Sequence, residues 1–252
     1  MPCDNNFLLP ELMAAKQLNK FKVASVALLL AFAALLLYQF VLFVMVLWLS
    51  VRDPGSSAFM DAALNRLRQD DPKATLKYQW VPYKNISTSL KRAVVASEDT
   101  NFNDHEGVEW DAIRKAWEYN QTQAQQGKAK IRGGSTITQQ LAKNLFLSGS
   151  RSYLRKGQEL ILAYMIEFVM SKERILELYL NVAQWGGNVF GAEAAARHYY
   201  RVSASNLSSY QAAQLAAMLP NPAYYDAHRN TSYLRSRTAT IQKRMRLVEI
   251  PG

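Results

Sequence analysis

From Val23 to Val51 the chain reads VASVALLLAFAALLLYQFVLFVMVLWLSV and carries no charged residue. A helix needs roughly 20 predominantly apolar residues to cross a bilayer. This run is longer, so it can span with tilt. The apolar core of a cleavable signal peptide is only about 7–15 residues, so the segment is expected to be an uncleaved anchor. Lys16, Lys20 and Lys22 precede it, whereas Arg52-Asp53-Pro54-Gly55 follows. The bias of basic residues toward the cytoplasmic side predicts a cytoplasmic amino terminus. Everything after Val51 is then expected outside the membrane; if the cell is bacterial, that means the periplasm or outer surface. The expected divisions are a short cytoplasmic segment 1–22, an anchor 23–51, a linker or membrane-proximal segment 52–75, and one globular domain 76–252.

The rest of the composition narrows the chemistry. A chain of 252 residues, 49% hydrophobic and 20% charged, has material for one sizeable packed domain plus an appendage. A net charge of +10 favours anionic partners, whether nucleic acid, anionic lipid or a phosphorylated substrate. Cys3 is the only cysteine, which excludes an intramolecular disulfide and a cysteine-ligated zinc. His105, His198 and His228 are far apart in sequence, so a histidine-rich metal site is not expected. An oxygen-ligated Mg²⁺ or Mn²⁺ stays open.

Helical patterning dominates the exported part. Residues 59–68 suit a short amphipathic helix. Tyr78 to Ser87 has strand-like residues broken by Pro82, hence extended chain at best. Ser87 is placed to cap the next helix, and Trp110 to Tyr119 suits another. Asn120 to Thr136 is polar, basic and glycine-containing, and is expected to be a mobile loop. Helices are expected at 137–147, 153–170 and 172–181. Ser208-x-x-Gln211 is a capping-box pattern before an alanine-rich helix stopped by Pro220, and Arg235 to Val248 reads as a basic terminal helix. There is no internal repeat. The expected fold is mainly α, with two lobes around a cleft.

Three stretches carry chemistry. In VVASEDTNFNDHEG, Glu98 and Asp99 fall at the carboxyl end of an apolar helix, where partial negative charge disfavours carboxylates. Such a placement suits a general acid or base, whose proton affinity gains from an unfavourable setting. Phe102 reads as packing, His105 as a hydrogen-bonding support and Gly107 as a turn. In IRGGSTITQQLAKNLFLSGSR, Gly133-Gly134 lets backbone approach closely. Ser135, Thr136 and Thr138 offer hydroxyls, and Thr136, Gln140, Lys143 and Asn144 share one helix face. That face suits an anionic, oxygen-rich ligand. It is no Walker loop, because Lys143 lies far from the glycines. In RKGQELILAYMIE, Arg155 and Glu159 are i, i+4 neighbours, and Glu159 opens an apolar helix where a carboxylate is usually paired or functional. KERILELYLN and FGAEAAARHYY read mostly as core, Tyr179 with them, and Asn181 as a cap or brace.

Taken in order, EDTNFNDHEG, RGGSTITQQLAKN, RKGQE and KERILELYLN resemble the ordered motifs of family fifty-one glycosyltransferases, the peptidoglycan polymerases. The resemblance covers roughly residues 76–225, and residues 76–252 are expected to be the glycosyltransferase domain, with no penicillin-binding transpeptidase domain after it. It implies a lysozyme-like, two-lobed, mainly α fold. It implies that lipid II and the lipid-linked growing glycan are the substrates, joined β-1,4 with inversion and release of polyprenyl pyrophosphate. By resemblance Glu98 is the base that deprotonates the acceptor hydroxyl. Glu159 is the second carboxylate, assisting the departing pyrophosphate directly or through a transient divalent cation, Mg²⁺ or Mn²⁺. No organic cofactor is implied. Lys143, Arg151 and Arg155 match the basic residues near the pyrophosphate. Ser135, Thr136, Gln139, Gln140 and Asn144 match the donor site, and Asp99, Phe102 and His105 fall in the first motif, which supports it. One departure is Gln158, where some family members carry a lysine, so one cation is expected to be missing. Leu147 to Ser150 also lacks acidic metal ligands. The implied partners are the bacterial membrane and cell-wall synthesis or division proteins, without nucleic acid. The rival readings are a lysozyme-like lytic transglycosylase, which needs no pyrophosphate cradle, and a non-enzymatic membrane-anchored scaffold.

Overall fold

A computed structural model describes residues 9–127, 133–147 and 152–252. It is mainly α. The helices are α1 (Leu9–Val51), α2 (Ala58–Asp70), α3 (Thr88–Glu98), α4 (Trp110–Gln125), α5 (Ile137–Phe146), α6 (Tyr153–Val169), α7 (Lys172–Val182), α8 (Ala192–Tyr200), α9 (Ser209–Met218), α10 (Pro222–Ala227) and α11 (Ser232–Arg244). Two short strands, β1 (Lys77–Tyr78) and β2 (Val189–Phe190), pair in parallel with Lys77 opposite Val189 and Tyr78 opposite Phe190.

The chain divides into two compact units, the first ending at Met45 and the second running from Val46 to Gly252. The described part of the first is helix α1. Its apolar residues show no amphipathic stripe, and Leu28, Leu29, Leu30 and Phe32 are all exposed. A helix apolar on all sides needs an apolar surround. Lys22–Val51 is long and apolar enough to cross a membrane.

The second unit builds two helix clusters. In one, α3 packs on α9 and α11; in the other, α5 packs on α6, α7 and α2. Serine or threonine side chains cap the amino ends of α2, α3, α5, α6, α7, α9 and α11, each accepting a backbone N–H of the first turn. Thr136–Gln139 and Ser208–Gln211 complete reciprocal capping boxes. Asn181 braces the extended segment after β1: its Oδ1 accepts from Val81 N–H at 3.0 Å, and its Nδ2 donates to Val81 O and Glu177 O at 2.9 Å.

Within residues 52–75 the helix expected at 59–68 is present as α2, whereas part of the expected loop after α4 is not a loop. Ser57 caps α2, Met60 is buried, and the helix packs on α5. Residues 120–125 continue α4 and are not a loop. They are polar, but glutamine and alanine are sound helix formers, and the helix gives out only where Gly127 takes a left-handed φ of 66°. Residues 133–136 are irregular, as expected of a loop; residues 128–132 lie outside the described residues, as do Ser148 to Arg151.

Candidate active site

The carboxyl end of α3 opens into a cleft of about 890 Å³. Glu98 lies in its wall, with Lys115 and Tyr119 of α4, Ser135 and Thr136 before α5, Gln140, and Tyr233, Arg237 and Arg244 of α11. Glu98 is the last residue of α3, so its carboxylate meets the negative end of the helix dipole as the sequence predicted. What offsets that is local. Gln140 Nε2 donates to Glu98 Oε2 at 3.1 Å, and Ser97 Oγ donates to Oε1 at 3.0 Å. Arg237 Nη2 lies 3.7 Å from Oε1 and donates to Ser97 Oγ at 3.0 Å. The Gln140 amide is itself oriented, because the buried Tyr179 hydroxyl donates to its Oε1 at 3.1 Å. Burial first, then the charges of Glu98 and Asp99, push the Tyr179 hydroxyl far above the ordinary tyrosine value, so it remains a donor throughout the neutral range.

Asp99 does a different job. It is buried, accepts from the Ile137 N–H at 2.9 Å, and meets His105 Nε2 with both oxygens at 3.0 Å. The Gly107 N–H donates to His105 Nδ1 at 3.1 Å. That assigns the ring proton to Nε2, which donates to Asp99. Asp99 therefore ties the end of α3 to the start of α5, and a carboxylate at the amino end of α5 is electrostatically favoured. Gly107 is held at φ 86°, and a Cβ there would meet Glu167 Cγ at 2.8 Å. Thr136 Oγ1 donates to Gly107 O at 2.6 Å, closing the same knot.

The second carboxylate sits among cations. Glu159 is buried, its Oε1 is 2.5 Å from Lys156 Nζ, and its Oε2 is 3.7 Å from Arg155 Nη1. Lys156 also donates to Ser135 Oγ at 3.2 Å, which joins this group to the cleft wall. Lys143 belongs to the same field. Its pKa is lowered, chiefly by burial; Glu159 opposes that shift, Arg155 and Lys156 add to it, and Glu98 opposes it weakly. The Nε–H groups of Arg155 and Arg237 are both buried without an acceptor among the described residues. Buried donors are seldom left unpaired, so each is available to an oxygen-rich ligand.

Several sequence-predicted residues do not face the cleft. Phe102 is fully buried beneath Lys172, whose Nζ lies 4.7 Å from the ring centre. Gln139 is fully buried and spends its Oε1 on the Thr136 N–H. His105 faces Asp99. These residues shape the site from behind: the His105 ring and Gln139 Oε1 are already bonded, and Phe102 has no exposed surface. Asn144 is buried on α5, and Gly134 lies against α4, where a Cβ would stand 3.0 Å from Ile113 Cα. Arg151 is outside the described residues. Three residues were missed. Lys156 supplies the cation that Gln158 was expected to leave absent, and its i, i+3 spacing to Glu159 was the available signal. Tyr179 looked like core, and nothing near Arg237 in sequence pointed to Glu98.

A divalent metal here would have to draw most of its ligands from substrate phosphates and water. Among the described residues no group of three histidine, cysteine or acidic side chains converges. The acid invoked for that role, Glu159, is already matched by Lys156 and Arg155.

Comparison with known proteins gives the family. The family model described as Transglycosylase matches residues 65–246. A Bordetella pertussis protein named biosynthetic peptidoglycan transglycosylase is 70% identical over 237 residues, covering 94% of this chain and 98% of its own length. Proteins of the same name from Bordetella avium and Janthinobacterium sp. are 71% and 57% identical over 216 residues, each covering 86% of this chain and 90% and 92% of their own lengths. The chain belongs to the transglycosylase family.

Proposed function

We propose that this chain is a membrane-anchored peptidoglycan glycosyltransferase that polymerises lipid II into β-1,4 glycan for bacterial cell-wall synthesis. The observation that carries the reading is the pairing of one oriented carboxylate in a cleft with a separate carboxylate embedded in cations. Glu98 takes the proton of the acceptor 4-hydroxyl. The freed oxygen attacks the anomeric carbon of the lipid-linked glycan from the face opposite its pyrophosphate. The bond to polyprenyl pyrophosphate breaks and the configuration inverts. Lys143, Lys156 and Arg155 stabilise the charge that grows on the leaving phosphates, commonly one of the largest catalytic terms. Glu159 holds Lys156 and Arg155 in place for that task. Side-chain cations do here what a divalent metal does at other phosphate sites.

The cation group favours polymerisation over cleavage of finished glycan, which has no pyrophosphate to release. The apolar helix is the membrane anchor, in the bacterial inner membrane, with the catalytic unit on the periplasmic side. Other cell-wall synthesis or division proteins are its expected neighbours.

The test is polymerisation of labelled lipid II by the full chain beside Glu98→Gln, with and without a chelator. Long glycan from the wild type in both conditions, and at least a 10²-fold loss in the variant, is the expected result. Hydrolysis of finished glycan without any polymer from lipid II would reject the reading, and chelator-sensitive polymerisation would reject the metal-free cradle.

A further inference from the structure

The last turn of α1 contains no basic residue of its own. A helix carboxyl end leaves carbonyls without intrahelical partners and carries partial negative charge. Here the missing cation comes from α7. Arg174 Nε and Nη2 donate to Leu49 O at 3.1 and 2.9 Å, and Nη2 also donates to Arg52 O at 2.6 Å. Nη1 donates to Asp53 Oδ1 at 2.9 Å and to Glu177 Oε2 at 2.6 Å. Every N–H group of the guanidinium is committed, and the Trp80 ring stands 5.4 Å from its centre. Its partner Glu177 and the chain just after Asp53 are held in turn. Glu177 Oε1 accepts from the Tyr83 N–H at 2.7 Å, and the Pro54 carbonyl accepts from the Tyr78 hydroxyl at 2.9 Å. Val46 and Leu49, on the same turns, are buried, and the compact unit that holds the cleft begins at Val46.

None of these residues touches the cleft, and packing alone does not require a side chain with this many donors aimed at one helix end. We propose that Arg174 is a positioning residue: it caps the carboxyl end of α1 and binds the last turns of that helix, from Val46 onward, into the catalytic unit, so that the unit is tied firmly to the segment by which the chain leaves the bilayer. The claim rests on the proposed polymerase reading for its consequence, but the clamp itself can be tested apart from activity. A lysine keeps the charge but has fewer donors without the planar fork, so it restores the clamp only in part.

The experiment uses the full chain with Cys3→Ser, spin labels on cysteines placed at the exposed Val51 and Leu247, and reconstitution in vesicles of anionic phospholipid. The wild type should give a narrow distance distribution. Arg174→Gln should broaden it, and Arg174→Lys should fall between. In the unlabelled proteins, Arg174→Gln should lower polymerisation of vesicle-borne lipid II about 5–20-fold while staying within about twofold of wild type on detergent-dispersed lipid II, as expected when loss of orientation and not of chemistry is read. An unchanged distribution in Arg174→Gln overturns the clamp. Equal losses in vesicles and detergent overturn the positioning role and leave Arg174 a folding residue. A wild type that makes no polymer in either medium rejects the polymerase reading, while the distance distributions still decide the clamp.

Discussion

Glu98 and Glu159 are the same functional group on two helices, and their neighbours separate their roles. Glu98 receives neutral donors from Gln140 and Ser97, with Arg237 at the edge; Glu159 receives cations. The Tyr179–Gln140–Glu98 relay gives a sharp prediction. Tyr179→Phe keeps the buried ring and removes one hydrogen bond, worth about 1 kcal/mol, which frees the Gln140 amide to turn. Turnover should fall roughly 3–10-fold with little change in KM and in thermal stability; a change in KM alone would contradict the relay. Lys143 gives a second. Burial lowers its pKa from the ordinary lysine range, so it loses its charge at a lower pH than an exposed lysine. Below that pH the cradle is fully charged, and above it phosphate affinity falls. KM for lipid II should therefore rise on the alkaline side, and Lys143→Arg should carry that rise to higher pH, because an arginine is not deprotonated in this range. Steady-state kinetics across the alkaline range check it. The same shift has a stability sign: the folded state binds this proton less readily than the unfolded state does, so raising the pH through the lowered value relieves a small cost of folding.

At the scale of elements, α5 is the keystone, since its amino end meets Asp99, its capping box and the Gly134 approach to α4. Asp99→Asn tests the knot. Its amide nitrogen would face the His105 Nε2–H, donor against donor, and the ring cannot switch tautomer without losing the Gly107 bond. Leaving a buried donor unpaired costs about 1–3 kcal/mol, and thermal unfolding should fall by roughly 2–4 °C for each kcal/mol. Much of this architecture was legible in sequence. Ser87, the Thr136–Gln139 step and Ser208–Gln211 speak through local rules: a cap bonds within its own first turn, so neighbouring residues suffice to predict it. The motifs placed Glu98 and Glu159 for the same reason. What stayed hidden depends on distant partners. The β1–β2 pair joins segments more than a hundred residues apart with strands too short to show alternation. Arg237 reaches Glu98 from α11, where one basic residue among several looks like any other. Residues 120–125 misled because their polarity suggested a loop, although polarity describes exposure and not backbone conformation.

For the whole molecule, the decisive boundary is where anchor ends and catalytic unit begins. Hydropathy puts it at Val51, because that is where charge resumes. Packing puts it at Val46, because Val46 and Leu49 are buried and Arg174 grips the Leu49 carbonyl. The two placements predict different truncations. Removing residues 1–45 should leave a unit that unfolds as the full chain does and still polymerises detergent-dispersed lipid II, with reduced use of lipid II held in a bilayer. Removing residues 1–51 deletes, beyond the shorter truncation, the buried side chains of Val46 and Leu49, each worth about 1.5–3 kcal/mol when fully buried, and strips Arg174 of carbonyl partners. That shorter chain should lose at least about 3 kcal/mol and melt roughly 6–12 °C lower. Equal melting of the two truncations would mean that the last turns of α1 contribute nothing to the catalytic unit. A 1–45 truncation that used bilayer substrate as well as the full chain would mean that the anchor does not serve catalysis at the membrane.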